Sequence, residues 1–270
     1  MQIGNRNFEI SNHTYVMGIL NVTPDSFSDG GCYNQSDAAL FRVEEMIKEG
    51  VDIIDIGGES TRPGAIEVSW EEEMQRVIPV IKRIKECFDI PLSLDTYKAD
   101  VAKAGIEAGI DLVNDIRGLK ADSKMAGIIA DAQIPCCLMH NRRDSVYQNY
   151  IQDVLDDLEE SLVLAKDAGI TKDKIILDPG IGFAKTYEQN LELLNQLEVL
   201  HSLGYPILLG TSRKSVIGLT LNVPADERVS GTLATTVMAV MKGCSFVRVH
   251  DIKENVQAIK MTEAILKAGK

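Results

Sequence analysis

The sequence has 270 residues and lacks the features that would point to a membrane or to an oxidising compartment. No apolar run reaches the roughly 18 residues typical of a membrane span. The first residues contain no long apolar segment after a basic cluster, so we expect no signal peptide. The five cysteines form neither a CxxC pair nor a zinc-type Cys/His pattern. We therefore expect free thiols in a reducing cytoplasm.

Positive charge is also scarce. The sequence contains 28 Lys and Arg residues against 40 Asp and Glu residues, which gives a formal net charge of −12. A surface of that sign repels phosphate backbones and anionic lipids, so we expect neither nucleic acid nor a membrane as a partner. Any anionic ligand would need a local cluster of positive groups.

Two common phosphate-binding motifs are missing. The first predicted strand is followed by NVTPDSFSDGG rather than by the GxGxxG of a dinucleotide-binding sheet. The pair Lys214 and Ser215 lacks the GxxxxGK[ST] spacing of a P-loop. The sequence therefore favours neither of these two nucleotide-binding folds.

Eight short apolar runs alternate with longer amphipathic segments, which is the pattern of repeated strand–helix units. The predicted strands are Tyr15–Asn21, Val51–Gly57, Pro91–Asp95, Ile110–Asn114, Ile134–His140, Lys174–Asp178, Pro206–Gly210 and Cys244–Val249. Eight evenly spaced units favour a closed (β/α)8 barrel, which runs as one domain of about 250 residues, over an open doubly wound sheet. We expect a single-domain α/β protein, with residues 1–14 as an N-terminal extension and residues 15–270 as the barrel.

Helix ends carry recognisable signals. Ser69 with Glu72, and Thr186 with Gln189, have the spacing of a capping box. Glycines follow four predicted helices, where a left-handed conformation ends the helix at least cost. These are Gly50, Gly109, Gly169 and Gly204.

Polar residues end nearly every predicted strand, at the face where barrels of this kind carry their chemistry. They include Asn21, Asp95, Asn114, His140, Asp178, Arg248 and His250. One of them alone could simply cap a loop, but their convergence predicts a functional site. The carboxylates of Asp95 and Asp178 would face the barrel mouth, either to accept from adjacent N–H groups of a heterocycle or to act in acid–base catalysis.

Cationic residues are grouped late in the chain. The stretches GTSRKSVIG (210–218) and RVHD (248–251) follow the last two strands, where this fold usually binds phosphate. The alternatives are a salt bridge at the strand end for Arg248 and a structural histidine for His250.

Two long loops, 22–34 and 59–68, are rich in glycine and polar residues. Long loops in compact domains are usually functional or disordered. Phe27 and Arg62 are unusual choices for a merely solvated loop, so we predict functional loops.

Seven stretches that carry these residues resemble the dihydropteroate synthase family. They are MGILNVTPDSFSDGG (17–31), DIIDIGGESTRPGA (52–65), SLDTYKADVAKAG (93–105), VNDIRGL (113–119), ILDPGIGFAKT (176–186), LLGTSRKSVIG (208–218) and RVHD (248–251). They follow the family's order and span nearly the whole chain, so the combined signal is specific.

The resemblance implies condensation of 6-hydroxymethyl-7,8-dihydropterin diphosphate with p-aminobenzoate, giving 7,8-dihydropteroate and diphosphate. It implies a Mg²⁺-dependent transferase of folate biosynthesis that sulfonamides inhibit. It also implies a homodimer formed through late helices, to which the apolar stretch 231–241 could belong if it is not merely core.

The resemblance further implies a role for each matching residue. The pterin would be bound by Asp95, Asn114, Met139, Asp178, Phe183 and Lys214. The diphosphate would be held by Asn21, Thr61, Arg248 and His250. Asn21 would also be a ligand of Mg²⁺. The p-aminobenzoate pocket would contain Phe27, Thr61, Arg62, Pro63, Phe183 and Ser215. The catalytic residues would be Asp29, Arg62, Asp95 and Lys214.

Two other hypotheses stay open. A pterin-binding methyltransferase barrel that uses methyltetrahydrofolate would need neither the cations Arg248 and His250 nor both loop motifs. A non-catalytic pterin-binding paralogue would be expected to show decay of the first loop, yet NVTPDSFSDGG is intact.

Overall fold

The structure, a computed structural model, describes residues 1–23, 32–60 and 67–269, with the backbone alone at 32–35. Its strands are β1 (Gln2–Ile3), β2 (Arg6–Asn7), β3 (Tyr15–Asn21), β4 (Ile53–Gly57), β5 (Leu92–Asp95), β6 (Leu112–Asp115), β7 (Cys136–Met139), β8 (Ile175–Asp178), β9 (Leu208–Leu209) and β10 (Phe246–Val249). Strands β3 to β10 correspond to the eight predicted apolar runs. They pair in parallel in the order β8-β7-β6-β5-β4-β3-β10-β9, and a bridge between Leu177 and Ile207 joins the two ends. The predicted (β/α)8 barrel is confirmed.

Helices pack around the outside of the barrel. The α-helices of the described residues are α1 (Cys32–Glu49), α2 (Trp70–Cys87), α3 (Ala99–Ala108), α4 (Met125–Ala132), α5 (Tyr150–Asp167), α6 (Tyr187–Asn195), α7 (Ser215–Leu221), α8 (Val229–Met241) and α9 (Ile252–Lys267). In α5 the fully buried Val154, Leu158 and Ala165 recur at helical spacing, which is why this segment forms a helix against the sheet. Within the described ranges, no helix is long and apolar enough to cross a membrane.

Three boundaries differ from prediction at prolines. The observed strands begin after Pro91, Pro135 and Pro206, one or two residues later than expected. Proline has no N–H to donate to a strand ladder. The carbonyls of these three prolines still accept from the neighbouring strand at 3.0, 3.1 and 2.9 Å. The first loop was also predicted too long, because α1 already begins at Cys32 and polar residues are common in a first helical turn.

The helix caps follow the sequence signals with one exception. Thr186 and Gln189 form the full capping box, with N–H to side-chain distances of 3.2 and 2.8 Å. Ser69 accepts from the backbone N–H of Glu72, but the Glu72 carboxylate accepts from the charged Arg76 instead of completing the box. The four predicted glycine caps, Gly50, Gly109, Gly169 and Gly204, all have positive φ.

Strand alternation divides the barrel interior into an apolar floor and a polar mouth. Successive side chains of a strand point to opposite faces, so every second residue enters the barrel. The floor is one buried cluster that includes Met17, Ile53, Leu112, Cys137, Ile176, Leu208 and Phe246. Two residues further along the same strands, the inward positions include Asp55, Asn114, Met139, Asp178 and Arg248. The polar groups therefore gather at the carboxyl ends of the strands.

The N-terminal residues close the other end of the barrel. Strands β1 and β2 form an antiparallel hairpin, and Ile3 and Phe8 are buried against the floor. The Phe8 ring lies 4.8 Å from the Tyr15 ring and 5.9 Å from the Phe246 ring, measured between centroids. With its floor covered in this way, the barrel presents its polar mouth at the opposite face.

Candidate active site

The mouth of the barrel is organised around one guanidinium, that of Arg248 on β10. Its Nε donates to Asp55 Oδ2 at 2.5 Å, and its Nη2 donates to Asp95 Oδ2 at 2.7 Å. Burial alone would lower the pKa of Arg248, but the two carboxylates raise it, so the group stays charged. The salt bridge considered for Arg248 therefore exists. A guanidinium has five N–H groups, so these two pairs do not exhaust its capacity.

Asp55 is a site residue that the sequence analysis missed. Its side chain is fully buried, and its Oδ2 also accepts from Asn114 Nδ2 at 3.2 Å. Its Oδ1 and the Oγ of Ser93, its register partner on β5, are buried without a hydrogen-bond partner in the described part of the chain. The alternation of β4 could have revealed Asp55, because an acid two residues after the inward Ile53 must also face the interior.

Asp178 and Lys214 lie on either side of Gly210. A Cβ placed on Gly210 would be 3.5 Å from Asp178 Oδ2 and 3.9 Å from Lys214 Nζ, so the glycine leaves open the space between the two. Asp178 Oδ1 accepts from the backbone N–H of Gly180 at 2.7 Å, and Lys214 donates to the carbonyl of Ile181. Both side chains are thus held in place by the turn that follows β8.

The pKa values of Asp178 and Lys214 are shifted in opposite directions. Burial raises the pKa of Asp178, while Lys214 opposes that rise. Burial lowers the pKa of Lys214 to about 8, while Asp178 opposes that fall. Near neutral pH the pocket therefore presents the donor ammonium of Lys214 beside the acceptor oxygens of the Asp178 carboxyl group, which suits a heterocycle with both donor and acceptor edges.

Apolar and amide groups complete this end of the pocket. The Phe183 ring lies with its centroid 4.7 Å from Lys214 Nζ. Met139 pairs in register with Asp178 and is buried. Asn114 pairs in register with Asp95. The six residues predicted to bind a pterin are thus positioned at the ends of strands β5 to β8 and in the segments after β8 and β9.

A second group of residues lies at or just after the ends of strands β3, β9 and β10. Asn21 is exposed at the end of β3, and its Oδ1 would be 3.8 Å from a Cβ on Gly57. Ser212 Oγ lies 2.9 Å from His250 Nδ1 and accepts from the His250 backbone N–H at 3.1 Å. The Ser212 hydroxyl has one proton and two lone pairs, so it can serve Nδ1 either as donor or as acceptor while it accepts the backbone N–H. The contacts with Ser212 fix the orientation of the His250 ring, as expected for a structural histidine. A ring held in this way can still bind a ligand.

Several predicted site residues lie outside the described part of the chain. These are Phe27, Asp29, Thr61, Arg62 and Pro63. Their roles stay predictions. Ser215 is described and is the exposed first residue of α7.

The segments on both sides of residues 61–66 are tied to one pair of side chains. Tyr97 Oη lies 3.1 Å from a carboxylate oxygen of Glu59 and 3.1 Å from one of Glu67. Lys98 donates to Glu59 and, at 2.7 Å, to the carbonyl of Val68. Since Tyr97 and Lys98 follow β5 directly, the base of the second loop is coupled to the strand that carries Asp95.

The sequence led us to expect a local cluster of positive groups around any anionic ligand, but among the described residues of the mouth the carboxylates outnumber the cations. Three carboxylates, Asp55, Asp95 and Asp178, face two cations, Arg248 and Lys214. Arg248 forms ion pairs with two of these carboxylates, and one of the two, Asp55, was not among the predicted residues. Burial raises the pKa of Asp95 to about 7. The charge of Arg248 opposes this rise, and the charge of Asp55 adds to it. Asp95 therefore relieves part of the negative charge by binding a proton near neutral pH.

His140, left undecided by the sequence, lies behind the pocket. Its Nε2 is 2.9 Å from Asp157 Oδ2 and its Nδ1 is 2.7 Å from Lys185 Nζ. Neither Asp157 nor Lys185 was singled out from the sequence, because both partners lie far from His140 along the chain.

Comparison with known proteins places these residues in a family. The family model described as pterin binding enzyme matches residues 17–250. A curated relative from Clostridium beijerinckii, named dihydropteroate synthase, is 61% identical over 268 residues, which cover 99% of this chain and 100% of the relative.

Solved structures agree with this likeness. A dihydropteroate synthase from Clostridium difficile, crystallised in the presence of pteroic acid, matches with a TM-score of 0.94 and 51% identity, covering 96% of this chain and 99% of that one. One from Yersinia pestis, in a sulfonamide drug complex, matches at 0.92 and 42%, covering 99% of each chain. One from Xanthomonas albilineans with 4-aminobenzoic acid matches at 0.91 and 41%, covering 95% of this chain and 94% of that one.

The raised pKa of Asp95 predicts a pH-dependent effect of Asp95→Asn on stability. Between the unfolded pKa of 3.8 and the folded value of about 7, the native state binds more protons than the unfolded state. The Asp95 contribution to stability is therefore complete below the unfolded pKa and is lost as the pH rises through about 7. Asparagine resembles the protonated form and does not titrate. The difference in unfolding free energy, variant minus wild type, should therefore increase by about 1 kcal/mol or more from about pH 4 to about pH 8.

Urea unfolding of the ligand-free protein at both pH values measures this difference. Asp131→Asn, at an exposed position on α4, is the matched control and should show no comparable trend. The raised pKa of Asp95 would be contradicted if the difference in unfolding free energy, Asp95→Asn minus wild type, stayed constant or decreased as the pH rises.

Proposed function

The chain belongs to the family of pterin-binding enzymes, among the dihydropteroate synthases, and we propose how the residues of its barrel mouth share the reaction. As a transferase of folate biosynthesis it joins 6-hydroxymethyl-7,8-dihydropterin diphosphate to p-aminobenzoate. The bond from the pterin methylene carbon to the diphosphate oxygen breaks, a C–N bond to the arylamine forms, and the amine loses a proton. The convergence of Asp178, Lys214 and Arg248 around Gly210 carries the assignment.

We assign the pterin ring to the space between Asp178 and Lys214. The carboxylate would accept from adjacent N–H groups of the ring, as acidic side chains do with the donor edges of bases. One of its oxygens already accepts a backbone N–H, but each carboxylate oxygen has two lone pairs. Lys214 would donate to ring acceptors, and the amide oxygen of Asn114 would accept a further ring proton. Met139 and Phe183 would form the walls.

The diphosphate belongs at the other side of the mouth, on Arg248 and His250. Arg248 is fixed by Asp55, and His250 is fixed by Ser212, so little reorganisation is needed when charge develops on the leaving group. Donors that are oriented in advance stabilise the departing diphosphate more than mobile ones would. Asp95, which titrates near neutral pH, lies beside Arg248 and can accept or donate a hydrogen bond to the bound pterin.

We propose Mg²⁺ as the metal, bound by Asn21 together with the substrate. Asn21 exposes an amide oxygen at the mouth, and Mg²⁺ at phosphate sites usually takes one or two protein oxygens besides phosphate oxygens and water. The described residues contain no cluster of three His, Cys, Asp or Glu side chains able to hold a metal. Phosphate oxygens of the substrate and water would supply the other ligands of the proposed ion. Bound there, Mg²⁺ would neutralise part of the charge of the leaving group.

The p-aminobenzoate would bind next to the start of α7. Ser215 is exposed there, and its hydroxyl can donate to the carboxylate of the substrate. The rest of the pocket is assigned to Phe27, Thr61, Arg62, Pro63 and Phe183. Asp29 and Arg62 remain the proposed catalytic residues of the two loops, and Thr61 a proposed diphosphate contact. The arylamine is itself the nucleophile, so the reaction needs no activated serine or cysteine.

The reaction can be measured directly. The protein with dihydropterin diphosphate, p-aminobenzoate and Mg²⁺ should form dihydropteroate well above the protein-free control, and chelation of Mg²⁺ should stop it reversibly. Methyltetrahydrofolate should not be consumed, in contrast to the methyltransferase hypothesis. Absence of product would refute the synthase, whereas an unchanged rate after chelation would refute only the metal.

Asp178→Asn should lose most of the affinity for the pterin. One acceptor oxygen becomes an NH₂ donor that faces a donor edge of the ring, so the Kd of pteroic acid measured by calorimetry should rise about tenfold or more. Asp173→Asn is the matched control, because Asp173 is exposed at the opposite end of β8. Equal affinities of the Asp178 variant and wild type would remove Asp178 from the site.

We propose that the protein is a homodimer through α7 and α8. Leu219, Leu221 and Met241 on these neighbouring helices are 67%, 46% and 64% exposed, which suits burial against a second copy. Light scattering should give twice the chain mass of 29.6 kDa. The double variant Leu221→Glu, Met241→Glu should be monomeric, whereas Met261→Glu, at a similarly exposed apolar position on α9, should stay dimeric. A monomeric wild type would contradict this proposal.

A further inference from the structure

Behind the pterin end of the pocket, one ammonium group holds the turn that follows β8. Lys185 Nζ lies 2.7 Å from His140 Nδ1, 3.0 Å from the carbonyl oxygen of Gly180 and 3.1 Å from that of Phe183. A charged lysine has three protons, and the geometry gives each of them an acceptor. The group therefore joins both ends of the turn 180–183 to the end of β7.

The acceptor His140 is itself fixed. Burial lowers the pKa of His140 to about 4, although the hydrogen bond to Asp157 opposes this fall. The ring is therefore neutral at physiological pH. Because Lys185 donates to Nδ1, the ring proton lies on Nε2, which donates to Asp157 Oδ2 at 2.9 Å. Arg142 holds the same carboxylate through its Nε and, at 3.2 Å, through its Nη2. A continuous chain of hydrogen bonds thus runs from Arg142 to Lys185.

The turn held by Lys185 carries the groups that position the pocket. Its Gly180 N–H binds Asp178, its Ile181 carbonyl binds Lys214, and its Phe183 ring faces the Lys214 ammonium. The turn also needs external support, since Ala184 has a φ of +45°, which is unfavourable for a residue with a Cβ. Displacement of this turn would move three pocket groups together.

A close fit between the turn and β7 supports the same view. A Cβ on Gly180 would lie 2.0 Å from the carbonyl oxygen of His140, so the two backbones touch where Lys185 bridges them. Small shifts of such a contact cannot be absorbed locally. The Lys185 ammonium therefore spans the place where the turn and the end of β7 pack directly against each other.

We propose that Lys185 is a positioning residue for the pterin, acting through the turn 180–183 with neutral His140 as its anchor. This inference rests on the proposed function, since it assumes that the pocket binds a pterin. Lys185 itself donates to His140 and to two backbone carbonyls, and its effect is on the orientation of Asp178, Lys214 and Phe183.

The charge state of Lys185 provides a readout that packing alone would not. Burial lowers the pKa of Lys185 to about 7. The nearby cations Lys214 and Arg142 also lower this pKa, whereas the carboxylates of Asp178 and Asp157 oppose the fall. Above this pH the amine has two protons for three acceptors. The contribution of Lys185 to pterin affinity should therefore be present at acidic pH and fade as the pH rises.

The test compares the Kd of pteroic acid in Lys185→Met with that of wild type by calorimetry. Methionine keeps a similar length without the charge. At about pH 6 the Kd should rise by about tenfold to about a hundredfold, as expected when binding groups are displaced by a fraction of an ångström to an ångström. At about pH 8.5 the ratio between variant and wild type should be smaller than at about pH 6, because the neutral amine of wild type then donates to only two of its three acceptors.

Lys174→Met is the matched control. Lys174 also clamps a backbone carbonyl, that of Gln133, but at the opposite end of β8. The Kd of pteroic acid for Lys174→Met should stay within about twofold of the wild-type value at both pH values. Equal affinity of Lys185→Met and wild type at the lower pH, or a ratio that does not change with pH, would overturn the proposal. A wild-type protein that fails to bind pteroic acid would instead overturn the proposed function, and this inference with it.

A second pair of variants applies if Lys185→Met does not fold. His140→Asn offers Lys185 an amide oxygen near the position of Nδ1, whereas His140→Leu offers no acceptor. The asparagine variant should therefore bind pteroic acid more tightly than the leucine variant. Indistinguishable affinities of these two variants would contradict the role of His140 as the anchor.

Discussion

The ion pairs of Arg248 with Asp55 and Asp95 are the interaction on which the barrel mouth depends. Ionised carboxylates inside a barrel are costly unless they are paired and hydrogen-bonded. One guanidinium serves both of them, and Asn114 adds a further donor to Asp55. Removing one partner of such a buried pair typically costs about 3–5 kcal/mol, because the other is left uncompensated. The charged side chains of the mouth therefore stabilise one another.

The same pairing explains how an acidic protein can act on anionic substrates. With Asp55 and Asp95 beside it, Arg248 supplies orientation as well as charge, and the proton that Asp95 binds near neutral pH limits the local excess of negative charge. The proposed Mg²⁺ and Arg62 would have to supply most of the remaining positive charge for the diphosphate. The apolar floor, closed by Ile3 and Phe8, confines this polar chemistry to one end of the barrel.

Much of this arrangement could be predicted from local sequence. Apolar runs that end in Asp95, Asn114 and Asp178 identify both the strands and the face where their polar ends meet, because parallel strands place their carboxyl ends together. Asp55 and Lys185 were missed. The alternation of β4 does place Asp55 inside the barrel, but the pairing of Asp55 with Arg248, like the contacts of Lys185, depends on partners that only the three-dimensional fold brings near. Arg248 contacts Asp55 across 193 positions of the chain, and no local pattern marks such a pair. The loop residues from Phe27 to Asp29 and from Thr61 to Pro63 lie outside the described residues and stay predictions.

A crystal structure with bound pteroic acid tests the central claim most directly, namely that the carboxylates and cations of the mouth form a pterin site. The account predicts the ring between Asp178 and Lys214, with its N–H edge on the Asp178 carboxylate and its plane against Met139 and Phe183. It also predicts that the pairs of Arg248 persist. A ring bound away from Asp178, or one whose donor edge faces solvent, would contradict the account.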